Sequence, residues 1–297
     1  MIEVIDVSKS FGDFLALDKI NIKVNKGTIH GIIGENGAGK TTLLQMLAGV
    51  YDVEEGSILL EGEDIYENNM VKKRIGYVAD RNQYFKDYKV REIMIFYSGI
   101  YDSFSKDDFI IYNKIFKLDL NKKIRQLSKG MQMRLALMLN LSINPDILIL
   151  DEPTSGLDAI VKKELMDIII AQVYEKDLTV VISSHHISEL EKFCDEFTIL
   201  NRGKIKYQSN IEKIKENVKK LQVVFKNDVE DEIKKIEDII NIEKMGSVYY
   251  IVTDNYGEKL VEDLNKLGAY LIENIGITLE EIFIYTNKNT YRGDRDE

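Results

Sequence analysis

Gly34-Glu35-Asn36-Gly37-Ala38-Gly39-Lys40-Thr41-Thr42 decides the reading of the fold. The stretch fits G-x-x-x-x-G-K-[ST], follows directly on the apolar run Ile29 to Ile33, and leads directly into the helix-forming run Thr42 to Ala48. Strand, glycine-rich loop and helix in that order are the context this pattern needs, and a chance glycine turn would lack it. The glycines let successive backbone N–H groups turn inward around phosphates, and the helix N-terminus adds its partial positive charge. Lys40 then reaches the β and γ phosphates of a nucleotide, while the Thr41 hydroxyl is a ligand for Mg²⁺.

Working outward, Ile147-Leu148-Ile149-Leu150-Asp151-Glu152 is an apolar strand that ends in two carboxylates. A central strand of an α/β sheet delivers such acids to the nucleotide edge. Asp151 is expected to hold Mg²⁺ through water, and Glu152 to orient and polarise an attacking water, since phosphoryl transfer is mainly positioning and charge stabilisation. His185 stands after the apolar strand Val180 to Ile182 and two serines, so its imidazole reaches the same edge, with His186 as the competing candidate. A neutral ring there bonds the γ-phosphate or holds the water in line with Glu152.

The surrounding pattern alternates β-branched runs with helical ones: Thr28 to Ile33 then a helix from about Lys40, Asp146 to Leu150 then a helix from about Asp158, and Leu178 to Ser183 then a helix near Ile187. This is α/β with a largely parallel sheet. Between about Arg81 and Ile143 no strand pattern occurs, and Met131 to Leu139 is apolar on nearly every face, as in a buried helix. A helical insertion between sheet strands is expected over residues 81–143.

Near Asn210 charged helix formers run from Ile211 to Lys220, and a second set of elements begins. It reads as strand Leu221 to Phe225, helix Val229 to Ile239, a strand near Ile242, strand Val248 to Val252, helix Glu258 to Leu267, strand Tyr270 to Glu273 and a helix from Thr278 to about Tyr285. The order βαββαβ suggests a ferredoxin-like unit, giving domains of 1–210 and 211–297, with a polar, frayed tail from Thr290.

The composition of the 297 residues, 44% apolar and 30% charged, excludes disordered, collagen-like and coiled-coil classes. Forty Lys and Arg against fifty Asp and Glu give a formal charge of -10, which disfavours non-specific nucleic-acid binding. No basic segment followed by an apolar core opens the chain, and no stretch approaches the roughly 18 apolar residues of a membrane span. With a single cysteine, Cys194, the expectation is a cytoplasmic chain without internal disulfides.

Leu127-Ser128-Lys129-Gly130-Met131-Gln132, shortly before Asp151-Glu152-Pro153-Thr154-Ser155-Gly156-Leu157-Asp158, resembles the signature, second acidic motif and D-loop of the ATP-binding subunits of ABC transporters. The match runs from Met1 to about Gln208. It implies a P-loop NTPase fold of the ABC ATPase type and a head-to-tail dimer, homodimeric or pseudo-symmetric, in which residues 34–42 of one subunit and 128–132 of the other clasp each ATP. Ser128 and the Gly130 backbone could donate to a γ-phosphate from a helix N-terminus, and Ser128 is equally suited to a plain helix cap. The resemblance further implies Phe11 as the aromatic that stacks on adenine, where a strand-core role is the alternative. Asp158 would communicate across the dimer, and His185 matches the family's histidine switch. A separate transmembrane permease would hold the chain at the inner face of the cell membrane.

One departure stands out. Where the family places a glutamine that touches Mg²⁺ and couples ATP to the membrane partner, the aligned residue is Asp80, with Gln83 three further on. Either Asp80 reaches the metal as a carboxylate or Gln83 substitutes from a longer loop; the carboxylate would repel triphosphate without Mg²⁺. Lys129, Met131 and the run Gly276 to Phe283 resemble the exporter branch with a short C-terminal extension, although that run also reads as an amphipathic helix closing the small domain. A soluble ABC ATPase acting as a switch on the ribosome or nucleic acid is the alternative function. Such proteins carry two ATPase units or a long coiled coil, and neither is evident here.

Overall fold

The first unit of the chain is built on two sheets with one helix between them. β1 (Ile2–Phe11) and β2 (Phe14–Val24) form a long antiparallel hairpin. β3 (Ile29–Ile33) runs into the glycine loop and α1 (Lys40–Leu47). β4 (Glu55–Leu60) returns to pair antiparallel with β1, placing Val4 opposite Ile58, and β5 (Glu63–Asp64) completes a sheet of order β2-β1-β4-β5. After α2 (Asn69–Lys72) and β6 (Ile75–Val78) come α3 (Val90–Ile100), α4 (Lys106–Phe116) and α5 (Lys129–Ser142). β7 (Ile147–Asp151), α6 (Ala159–Lys176), β8 (Thr179–Ser184), β9 (Glu196–Asn201) and β10 (Lys204–Asn210) follow, while α7 (Ile187–Leu190), between β8 and β9 in the chain, groups with the second unit.

This is a computed structural model that describes residues 1–66, 68–81, 85–185, 187–210, 213, 216 and 218–288. It divides into two compact units, Met1–His186 with Phe193–Gln208, and Ile187–Lys192 with Ser209–Glu297.

The second sheet has the order β10-β9-β3-β8-β7-β6, and the pairs β3/β8, β3/β9, β7/β8 and β6/β7 are parallel. β3, β7 and β8 are buried along their whole length, as strands covered on both faces must be. The largely parallel sheet expected over the first two thirds is present, and beside it stands the antiparallel β2-β1-β4-β5 sheet, for which no expectation was drawn. Its β1–β4 pairing joins segments some fifty residues apart, so local pattern does not reveal it. Leu43, Leu44 and Leu47 of α1 are buried in one cluster with Val4, Ile22 and Ile58 of that sheet and Ile32, Ile149 and Val181 of the parallel one. Each such leucine contributes about 1.5–3 kcal/mol by leaving water, which clamps the helix that carries Lys40 between the two sheets.

The expected helical insertion is present: α3, α4 and α5 lie between β6 and β7. α5 is buried at Met133 and from Leu135 through Ser142, so the run apolar on every face is a core helix. Its one deeply buried amide, Asn140, donates to Ala136 O (2.9 Å) and accepts from Tyr77 N (3.0 Å), tying α5 to β6.

In the second unit β11 (Lys219–Phe225), α8 (Glu230–Ile233), β12 (Ile239–Met245), β13 (Val248–Thr253), α9 (Glu258–Lys266), β14 (Ala269–Ile275) and α10 (Leu279–Lys288) appear in order. The sheet order is β12-β13-β11-β14 with every pair antiparallel, the ferredoxin-like arrangement. Leu221, Val223 and Phe225 on one face of β11 pack with Tyr249, Ile251 and the α9 residues Leu260 and Leu264. The helix expected over Val229 to Ile239 is cut to four residues. Ile236 N donates to Ile233 O and Ile239 N to Ile236 O, three-residue turns that suit the Ile spacing, and Ile239 is taken into β12 opposite Thr253. Much of the charged run from Ile211 and the tail from Thr290 lie outside the described residues. Among the described residues no helix is long and apolar enough to cross a membrane.

Candidate active site

Because β3, β7 and β8 are parallel neighbours, their carboxyl ends share one edge, and the register sets Asp151 opposite Ser183 and Ile33 opposite Ser184. The glycine loop closes over that edge. Gly39 has φ of 103°, and a Cβ there would lie 2.8 Å from Ala16 O, so any other residue is both strained and blocked. At Gly34 a Cβ would lie 2.6 Å from Leu200 O, which makes the close approach of the loop to β9 dependent on glycine.

A cleft of about 330 Å³ opens at this edge, lined by Glu35, Asn36, Gly37, Gly39, Lys40, Thr41, Thr42, Asp80 and Glu152 together with Phe14 and Ala16. Lys40 is 6% exposed; its Nζ donates to Gly34 O (2.7 Å) and Glu35 O (3.1 Å) and lies 3.7 Å from Glu152 Oε1. Burial pushes the Lys40 ammonium down from its ordinary range, and the Glu152 and Asp151 carboxylates act against that shift. Asp151 is 2% exposed and is raised chiefly by burial, which hydrogen bonds from Ser183 and Thr41 partly offset.

Glu152 has φ of 49°, a left-handed conformation that costs a non-glycine residue on the order of 1–3 kcal/mol. It turns the carboxylate from the strand toward the cleft. Oε2 lies 2.7 Å from His185 Nδ1, so a ring that donates from Nδ1 to the carboxylate leaves Nε2 as an acceptor when neutral. Glu152 is thus set between Lys40 and His185. His186 and Gln83, the competing candidates, lie outside the described residues.

The signature residues gather at the N-terminus of α5, not in the cleft lining. Ser128 is its N-cap, accepting from Met131 N at 3.3 Å. Gln132 Nε2 donates to Leu127 O (3.1 Å), and a Cβ on Gly130 would touch Leu157 at 3.0 Å. Lys129 and Gln132 line a neighbouring recess with Asp80, Arg81 and Met133. Lys129 Nζ lies 2.9 Å from Asp80 Oδ1, so the signature lysine and the one residue that departs from the family pattern form an ion pair. Asp158 caps α6, accepting from Ile160 N and Val161 N.

Phe11 packs edge-on against Tyr51, with ring centroids 5.4 Å apart, and is not in the lining of the cleft. Phe14, opposite it across the β1–β2 turn and 62% exposed, supplies the aromatic there. Sequence reasoning missed Phe14, although two phenylalanines flanking Gly12-Asp13 were a usable signal. It also missed Ser183, which lies against both acids at the end of β7. Ala38 is buried behind the loop.

Among the described residues no three His, Cys, Asp or Glu form a metal cage of their own. The donors that do meet, the Thr41 hydroxyl and Asp151 carboxylate with Asp80 nearby on the cleft, are all oxygen. That set fits a hard cation that keeps waters and takes the rest of its shell from phosphates.

A loop of backbone N–H groups at a helix start, a buried lysine and two acids at a parallel edge define a phosphate-binding-loop nucleoside triphosphatase. Comparison with known proteins is narrower still. The ABC transporter family profile matches residues 17–155. The ABC transporter ATP-binding protein YtrB of Bacillus subtilis is 28% identical over 96% of this chain and 97% of its own length. The bacitracin transport ATP-binding protein BcrA of Bacillus licheniformis is 34% identical over 69% of this chain and 68% of its own. A dimeric, post-hydrolysis structure of the ATP-binding cassette MJ0796 with ADP and Pi superposes with a TM-score of 0.64 at 22% identity, covering 71% of this chain and 99% of that one. The chain belongs to the ATP-binding subunits of ABC transporters, binds ATP and is an ATPase.

Proposed function

We propose that the chain is the motor of an exporter, closing head to tail as a dimer on two ATP and driving a separate membrane permease. The observation that carries this reading is the constellation of Lys40, Asp151, Glu152 and His185 at the carboxyl ends of adjacent parallel strands. The bacitracin transport protein among the relatives supports a transport role.

In this reading Gly34 to Thr42 cradle the triphosphate and Lys40 neutralises its terminal phosphates. The charge that develops on the phosphate oxygens would be offset by Mg²⁺ when it is bound. Thr41 and Asp151 hold it, with Asp80 alongside. Glu152 accepts a proton from the attacking water as its oxygen bonds to the γ phosphorus and the bond to the bridging oxygen breaks. His185, held by Glu152 through Nδ1, offers Nε2 to that water or to a phosphate hydroxyl. Phe11 or Phe14 stacks on adenine. Ser128, Lys129, Gly130, Met131 and Gln132 of one subunit clasp the ATP held by the other, and Asp158 reports across the dimer. Residues 1–210 act as the cassette and 211–297 as an appended domain, at the inner face of the membrane and without nucleic acid.

Closure is favoured because ATP adds contacts only in the closed state. Glu152→Gln tests this: turnover falls on the order of 100-fold or more, as for loss of a general base, while ATP binds and the closed dimer accumulates in size-exclusion chromatography. Wild-type turnover in this variant refutes the role of Glu152. Recovery of a polytopic membrane protein on mild-detergent purification supports the motor, and recovery of ribosomes instead refutes it.

A further inference from the structure

We infer that Ser183 is a positioning residue for hydrolysis, its one hydroxyl fixing both acids at the end of β7; the inference rests on the reading of Glu152 as the base. Ser183 Oγ donates to Asp151 Oδ1 at 2.7 Å and accepts from Glu152 N at 3.0 Å. The residue is fully buried, and the β7/β8 register places it directly opposite Asp151. A serine hydroxyl has a single proton, so donation to Asp151 leaves only its lone pairs for the Glu152 N–H, and the direction of both bonds is fixed.

The second bond falls where the backbone most needs holding. Glu152 is in the left-handed region, and its peptide N–H is the group that sets how the turn leaves β7. Its carboxylate lies within 3.7 Å of Lys40 and 2.7 Å of His185, so a small rotation of this turn moves the proton acceptor relative to the attacking water. Displacement of about 1 Å at a reacting group is enough to cost on the order of 100-fold in rate. Ser184, the next residue, also stands at the strand end, but its register partner is Ile33. The two bonds at position 183 bridge the acids.

The test compares Ser183→Ala, Ser183→Val and Ser183→Thr in the full chain, with Glu152→Gln and the double variant Glu152→Gln/Ser183→Ala in parallel. Valine matches threonine in bulk and lacks the hydroxyl. We expect Ala and Val to lower kcat about tenfold with KM for ATP within about twofold, and Thr to restore kcat to within about threefold of the native chain. The double variant is expected to be no slower than Glu152→Gln alone, because the hydroxyl acts through the carboxylate. Fluorescent-nucleotide affinity, read without turnover, is expected to be unchanged in all of them and reports whether each has folded.

Native kcat in the Ala and Val variants overturns the inference, as does a Thr variant as slow as Val, which would assign the effect to packing. Loss of nucleotide affinity in step with kcat also overturns it. If Glu152→Gln itself turns over normally, the reading of the base has failed; if it is inactive while Ser183→Ala is normal, only the positioning role has failed.

Discussion

The parallel sheet and the ferredoxin-like sheet treat charge in opposite ways. At the carboxyl edge of β3, β7 and β8, ionisable groups are buried and only partly neutralised: Lys40 is lowered by burial, Asp151 is raised by it, and Glu152 is shared between Lys40 and His185. In the ferredoxin-like unit the interior is apolar, built on Leu221, Phe225, Tyr249 and Leu264, and charges are paired at its surface, as Lys234 with Glu230 and Lys244 with Asp228. One sheet keeps electrostatic free energy available for a ligand, and the other discharges it internally. Perturbed, under-neutralised groups in a cleft are the physical mark of a working site.

The contrast can be broken from the apolar side first. Phe225→Ala removes a fully buried ring in edge contact with Tyr249 and should destabilise the ferredoxin-like unit by about 3–5 kcal/mol in chemical denaturation, with ATP affinity unchanged. A parallel loss of ATP affinity would mean that the two cores do not act separately. From the charged side, Lys40→Ala should weaken ATP binding by a factor on the order of 10–100, the value of a charge-assisted hydrogen bond, and titration with a fluorescent nucleotide measures it.

Smaller effects sharpen the boundary. Asp80→Ala should lower Mg²⁺-dependent turnover a few-fold and by more than Gln83→Ala; the reverse order would move the coupling role to Gln83. The exposed pair of Asp80 with Lys129 should contribute no more than about 1 kcal/mol to stability. Asp228 is the mildest case. Lys244, and then the Tyr249 hydroxyl, hold its carboxyl down to about 2, below its unfolded range. Its stabilisation is therefore present above about pH 4 and lost as pH falls through about 2. A small melting-temperature advantage of the native chain over Asp228→Asn at pH 7 should vanish toward pH 2.

Legibility in the sequence followed the range of the interaction. The glycine loop, the acids after β7, the Ser128 position at the start of α5 and the βαββαβ order are local patterns, and each lies where those patterns put it. The β1–β4 pairing is long-range and interrupted by a register shift, and it left no periodic trace. Ser183 read only as one of two serines before His185, because its partners depend on the register of β7 against β8. The pairing of Asp80 with Lys129 likewise joins residues forty-nine positions apart. The short α8 is a local failure: Ile233, Ile236 and Ile239 are spaced for a helix face, yet pairing with β13 claims the last of them.

The left-handed backbone at Glu152 also bears on how this protein responds to selection. Gly, Asn or Asp accept that conformation more readily than Glu does, by roughly 1 kcal/mol. On the proposal that Glu152 is the base, a library screened only for heat resistance would therefore enrich replacements at position 152 that fold better and turn over on the order of 100-fold more slowly. Heat tolerance and turnover are opposed at this one position by the backbone itself, and thermostabilisation of the chain has to begin by holding residue 152 fixed.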